Sequence, residues 1–358
     1  MASSRNKGLD LFRVIAMFFV VLIHIIVTLM YIYPDKDVFT LSIMAMVLGG
    51  IAKPMMGVFF MTSGAFLLGR ESTMNPIPFY KKAWKKLGIP TLVISLLHLL
   101  LEPIREVIQM GMGWDGYGAS LWHYFLKFLQ GDVAEHLWYV LVLMGLYFLA
   151  PFIAKSREMF SEKEFSFVTI CIFILGIISS QSETYTLKWS FGHVIAYVGV
   201  FMMGFELFKN INGEKNNKKA IVNILIACLI IAIEIVGCIF AKGIDIPALK
   251  VVLAFGEPYN PLNQIIAIFF FKGFVYLEPH FDVGYLSGLT YWVYLTHVLF
   301  QRFILLPVEL LFKFYGKSEG ISEILCLLIY SLLNYAGCML LTHLVLTFKK
   351  NRKGKVST

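Results

Sequence analysis

A chain of 358 residues with 15% charged and 58% apolar side chains, at a mean hydropathy of +0.74, carries more apolar surface than one water-facing core can sequester. The net charge of +8 would suit a nucleic-acid binder. Most of the 31 Lys and Arg, however, fall in connections on one side of the expected spans, which is the positive-inside pattern of a membrane topology.

Apolar runs predict about ten transmembrane helices, near residues 11–33, 41–69, 87–104, 137–154, 165–181, 190–208, 219–241, 249–276, 283–312 and 321–348. The expected fold class is all-α, a polytopic integral membrane helix bundle with both termini cytoplasmic. One domain is expected over 1–358, ending in a basic cytoplasmic tail at 349–358. The first run is too long for a cleaved signal peptide, and Tyr33-Pro34-Asp35 follows it where small residues would be needed. Lys53-Pro54, flanked by Gly49, Gly50 and Gly57, reads as a break that divides the second run into two pieces.

Further along, Lys81, Lys82, Lys85 and Lys86 read as a basic inner connection. Residues 105–136 form the longest stretch between runs and are expected on the outer side. Within them Leu121, Trp122, Tyr124, Phe125, Phe128 and Leu129 predict a short helix lying in the interface. The five cysteines, Cys171, Cys228, Cys238, Cys326 and Cys338, sit in apolar runs without metal-ligand or CxxC spacing and read as small core residues.

The chemistry-bearing residues begin in the first run. Arg13 and His24 are eleven residues apart, which on an α-helix is about 16.5 Å of rise and about 20° past three full turns. Both side chains therefore share one face, one near the cytoplasmic end and one deep in the bilayer. A charge inside a span costs about 2.5–3.5 kcal/mol on insertion scales, so these groups should face a polar cavity. Spacing alone equally allows an arginine snorkelling to headgroups and a histidine bonded to a neighbouring helix. His136 and Trp138 open an apolar helix where an aromatic belt is expected, and His297 stands at helical spacing from Tyr294. His98, His193 and His343 read as isolated on apolar faces. Glu102 and Glu234 are candidate site acids. The templates of soluble enzymes, GxSxG, HExxH and the P-loop, are missing.

Four segments in order resemble a known family. Arg13-x10-His24 is similar to the first-helix signature of the membrane acyltransferase 3 family. Phe59-Phe60-Met61-Thr62-Ser63-Gly64-Ala65-Phe66-Leu67-Leu68 resembles its second helix. His136-Leu137-Trp138-Tyr139 with Gly145-Leu146-Tyr147 and Pro151 resembles a later one, and Tyr291-Trp292-Val293-Tyr294-Leu295-Thr296-His297 a later one still. The resemblance implies an acyltransferase of the cell membrane without a permanently bound cofactor. Acyl-CoA, acetyl-CoA above all, would be the co-substrate, and a glycan or lipid-linked sugar hydroxyl the acceptor. It makes His24 and Arg13 the catalytic pair, Lys82, Lys85 and Lys86 the donor contacts, and Asp10, Ser63, His136, Trp138, Tyr147, Tyr294 and His297 the lining of the site. His24 would act either as general base or as a transient acyl carrier. Its partners would be membrane lipids, the donor and the acceptor, with no nucleic acid and no metal. One departure stands out: the family's Arg-x-x-Arg pair before the third helix is replaced here by lysines, which cannot make a bidentate fork. A transporter or channel lined by the same buried Arg and His is the alternative reading.

Overall fold

The structure, a computed structural model, describes residues 5–32, 38–109, 113–182, 193–241, 261–305 and 321–356. Tyr33, Pro34 and Asp35 lie outside the described residues, as do the side chains of Cys238 and His193. Among the described residues the regular structure is entirely helical. Twelve α-helices are described: α1 (Lys7–Ile32), α2 (Val38–Leu67), α3 (Pro76–Ala83), α4 (Ile89–Gln109), α5 (Tyr117–Gln130), α6 (Trp138–Met159), α7 (Glu162–Ser182), α8 (His193–Ile211), α9 (Asn217–Ala241), α10 (Pro261–Tyr276), α11 (Gly284–Phe300) and α12 (Ile321–Val356).

Several helix starts are written in the sequence. The Leu9 N–H donates to Asn6 Oδ1 at 3.1 Å, so Asn6 caps α1, and its amide nitrogen donates to the Val275 carbonyl at 3.2 Å. Ser161 and Glu164 form a reciprocal capping box at the start of α7. Asn216 accepts from the Lys219 N–H at 3.0 Å and caps α9.

Seven helical stretches among the described residues are long and apolar enough to cross a membrane: Lys7–Thr28, Gly50–Leu67, Pro76–Ile108, Trp114–Met159, Val194–Ile211, Asn217–Gly237 and Ser322–Phe348. The sequence predicted about ten. The runs at 165–181, 249–276 and 283–312 make the difference, and each reaches into residues or side chains outside the described ones. The outward faces fit a lipid solvent. On α9, Ile221, Val222, Leu225, Leu229 and Ile233 are exposed along one stripe, and on α4, Leu92, Val93, Leu96 and Leu100 are exposed in the same way.

Two expectations are corrected. The second run is one helix that passes through Pro54 rather than two pieces. Beyond Pro54 the helix is held by close contacts: a Cβ at Gly57 would stand 3.0 Å from Ala267 Cβ, and one at Gly64 would overlap the Phe201 carbonyl oxygen of α8. The lysines are not in a loop. Lys81 and Lys82 end α3, and Lys85 and Lys86 lie in a π-helical turn, Trp84–Gly88, that leads into α4. The widened turn precedes Pro90, whose ring and missing N–H interrupt the ladder, and the Trp84 indole fills the space over Gly88. A helix stands where the short interfacial one was expected: α5, with Trp122, Phe125, Leu126 and Leu129 exposed. The basic C-terminal run continues α12 as far as Val356.

The chain divides into two compact units. The first comprises Met1–Phe79 and Phe148–Ser287, the second Tyr80–Tyr147 and Gly288–Thr358. In the first, glycines let backbones touch. A Cβ on Gly64 would overlap the Phe201 carbonyl oxygen, one on Gly204 the Met61 backbone, and one on Gly8 the Phe274 carbonyl oxygen. Such small-residue contacts hold helices together where lipid removes the hydrophobic drive.

Orientation is open to direct measurement. With native cysteines replaced, a single cysteine at Gly118, where a side chain meets open space, should react with an impermeant thiol reagent on intact cells. One at the exposed Asn212 should react only after lysis. Labelling in the reverse order would invert the positive-inside topology.

Candidate functional site

In the first unit, Asp10 organises the N-terminal end of α1. It is 6% exposed. Ser287 Oγ donates to Oδ1 at 2.7 Å, Arg5 Nε donates to Oδ2 at 2.5 Å, and Arg13 Nη1 lies 3.6 Å from Oδ1. The buried carboxylate is thus paired and hydrogen-bonded, as burial demands. Arg5 also reaches Asp282 Oδ1 at 3.0 Å. The Gly284 N–H and then Arg5 hold the Asp282 carboxyl below its ordinary range. The Arg13 guanidinium lies 5.4 Å from the centroid of the Phe66 ring, at cation–π distance. Ser63, expected in the site lining, donates its hydroxyl to the Phe59 carbonyl on its own helix at 3.1 Å.

α1 runs unbroken from Lys7 to Ile32, so the shared face of Arg13 and His24 survives the whole distance between them. His24 is half-buried, and its carbonyl accepts from Thr28 Oγ1 at 2.9 Å.

The second unit gathers a different set. Glu102 is fully buried and takes three partners: Arg302 Nη1 at 2.6 Å, Arg105 Nε at 2.8 Å and His98 Nδ1 at 3.2 Å. His98, read as isolated in the sequence, is therefore a member of a cluster. The correction has a simple origin: His98, Glu102 and Arg105 stand at i, i+4 and i+7, on one face of α4. The His98 ring lies 5.4 Å from that of His136, and His136 lies 5.0 Å from His297. Tyr294 donates its hydroxyl to the His136 carbonyl and packs 5.5 Å from the Tyr139 ring. His297 Nδ1 is 2.8 Å from the Tyr294 carbonyl, so Nδ1 carries the hydrogen. Next to this row, Glu106 accepts from Ser120 and, at 3.1 Å, from Tyr124.

Of the residues singled out in the sequence, the first unit holds Asp10, Arg13, His24 and Ser63. The second brings His136, Tyr294 and His297 together, with Trp138 and Tyr147 half-buried on α6. Lys82, Lys85 and Lys86 are exposed on their helix. Arg5, Ser287, Arg105 and Arg302 were not singled out, and for Arg302 there was no local signal, because its partner Glu102 is 200 residues away. Among the described residues no group of three or more His, Cys, Asp or Glu is placed to hold a metal ion.

Comparison with known proteins bears on this geometry. No solved structure matches the chain. A serine/alanine racemase of Enterococcus gallinarum is 22% identical over 353 residues, covering 94% of this chain and 45% of that protein. The chain thus spans about half the length of the curated relative it matches. The sequence profile of the acyltransferase domain of the acyltransferase 3 family matches residues 6–343, and that span takes in every helix from α1 through α11 and most of α12. With that match over nearly its whole length, the chain belongs to the membrane acyltransferase 3 family.

Proposed function

We propose that this enzyme moves an acetyl group from cytoplasmic acetyl-CoA to a hydroxyl of an extracytoplasmic or lipid-linked glycan, in the cell membrane. The observation that carries the reading is the unbroken α1, with Arg13 beside Asp10 at one end and His24 about 16.5 Å further along the same face. That length suits the extended pantetheine arm of coenzyme A. Arg13 holds phosphate of the donor, oriented by Asp10, which Ser287 and Arg5 fix in turn.

At His24 two routes balance. As general base, an imidazole nitrogen accepts the proton of the sugar hydroxyl while the sugar oxygen bonds to the acetyl carbonyl carbon. The C–S bond breaks, and the coenzyme A thiolate takes that proton from the imidazole. As carrier, the nitrogen itself first bonds to the acetyl carbon and expels the thiolate. The sugar oxygen then displaces the imidazole, and the hydroxyl proton ends on the thiolate. An imidazole with an ordinary pKa of about 6.5 suits either route near neutral pH.

The exposed Lys82, Lys85 and Lys86 recruit the polyanionic donor over distance. Their replacement by Gln should raise the KM for acetyl-CoA severalfold with a smaller change in kcat, and should flatten the salt dependence of KM. Unchanged kinetics in protein that inserts poorly would assign them to topology instead. The function itself is tested with purified protein in liposomes, by following radiolabel from acetyl-CoA into alkali-labile esters on envelope glycans. Ester formation with stoichiometric release of free coenzyme A is the expected result. Solute flux without acetyl transfer would contradict it.

A further inference from the structure

The first unit holds a second polar layer that the scheme above does not use. Glu234 on α9 is 1% exposed, and neither carboxylate oxygen has a hydrogen-bond partner among the described residues. Lys53 lies on α2, one helical turn before Gly57. Asn263 and Gln264, at 1% and 4% exposure, open α10.

Helix register puts these residues at one level. The start of α9 meets the end of α10: Asn216 N–H donates to the Tyr276 carbonyl at 3.1 Å, and Gly273 packs on Ala220 and Ile224. The two helices are antiparallel, so about 13 Å back along α10 from Gly273 stands Gln264, and the same rise along α9 from Ile224 reaches Ile233 and Glu234. On α2, Gly57 faces Ala267 and Gln264, and Lys53 is one turn further in the same direction.

The layer is also level with His24. Phe12 on α1 packs at 5.1 Å on Phe274 of α10. From that contact Gln264 is about 15 Å along α10 and His24 about 18 Å along α1, a difference of about 3 Å in depth.

A buried carboxylate with neither oxygen bonded among the described residues is an acceptor awaiting donors, and leaving it so is costly. One acidic and one basic side chain with two amides sum to no formal charge, so the layer suits a neutral ligand rather than an ion. The chemistry that matches a carboxylate, two amides and an ammonium together is a neutral polyhydroxyl compound, whose hydroxyls donate to Glu234 and whose oxygens accept from the amides and Lys53. Resting on the acetyl-transfer reading, we propose that Glu234, with Lys53, Asn263 and Gln264, is the acceptor site, binding the carbohydrate so that one hydroxyl is presented at the depth of His24.

Two variants separate this role from a structural one. Glu234→Gln keeps the size of the side chain and loses the charged acceptor, and Glu234→Leu removes the polar group altogether. Both should lower O-acetyl esters on the envelope glycans of expressing cells by about tenfold to a hundredfold, measured by mass spectrometry. Both purified proteins should bind acetyl-CoA as the wild type does, and Glu234→Leu should melt no lower than the wild type, because a buried carboxylate that makes no hydrogen bond among the described residues is replaced by an apolar group. Glu234→Gln that acetylates within about threefold of wild type, or Glu234→Leu that melts well below it, would overturn the acceptor role while leaving the transfer reading intact. A wild type that neither binds acetyl-CoA nor forms esters would overturn both.

Discussion

Gly204→Leu should yield no folded protein, and Gly204→Ala should already lose about 3 kcal/mol or more of stability. A Cβ at Gly204 would overlap the backbone of Met61, and one at Gly64 would overlap the Phe201 carbonyl oxygen, so α2 and α8 are in backbone contact twice within one crossing. Backbone cannot rotate aside as a side chain can, and the helices would have to separate. That separation would also move Phe60, which packs 5.1 Å from the Tyr197 ring, and Phe66, which stands under Arg13. Gly145→Ala is the control: nothing lies within 4 Å of its Cβ, and alanine is the better helix former, so stability should hold or rise by about 0.5–1 kcal/mol. Thermal melts of the detergent-solubilised protein, read by gel filtration, distinguish the cases. A Gly204→Ala protein as stable as the wild type would mean that α2 and α8 do not cross as described.

The other large effect is chemical. His24→Ala should lower acetyl transfer by about 10²–10⁴-fold as the loss of a general base, and by more if the imidazole carries the acetyl group. The protein should remain folded, inserted in the membrane and able to bind acetyl-CoA, because His24 is only half-buried on a helix already fixed at its N-terminal end by Asn6 and Asp10. Arg13→Ala should act differently, raising the KM for acetyl-CoA. Arg13→Lys should recover only part of the loss, since an ammonium cannot reproduce the guanidinium fork. Steady-state kinetics on the three variants, with KM and kcat separated, check the division of labour.

How much of this was legible in the sequence depended on distance along the chain. The Arg13–His24 face needed only an unbroken helix, and α1 is one. The Ser63-Gly64 pair was legible as a pattern, but its physical reason, contact with Phe201, needed the fold. Local rules misled at two places. Pro54 reads as a helix breaker, yet α2 continues through it and packs closely at Gly57 and Gly64 beyond it. The lysines at 81–86 read as a loop because of their charge, while the chain absorbs Pro90 in a π-helical turn and stays helical. The His98–Glu102–Arg105 face of α4 was available in the spacing and passed over because the histidine was weighed alone. Partners far apart were beyond any local pattern. Glu102 with Arg302, Asp10 with Ser287, and the common depth of Glu234 and His24 arise only when helices pack. The compact first unit, in which α1, α2, α9 and α10 are neighbours, is what turns scattered polar residues into a candidate site.

The most direct measurement is the rate of acetyl transfer by purified His24→Gln in liposomes with labelled acetyl-CoA. Glutamine keeps a hydrogen-bonding side chain at the position but can neither take up a proton near neutral pH nor form an acyl-imidazole. The expected result is a protein that melts and binds acetyl-CoA like the wild type and transfers acetyl at least about a hundredfold more slowly. A His24→Gln protein that keeps most of the wild-type rate would contradict the account, because the imidazole would then serve only to bond a neighbouring helix.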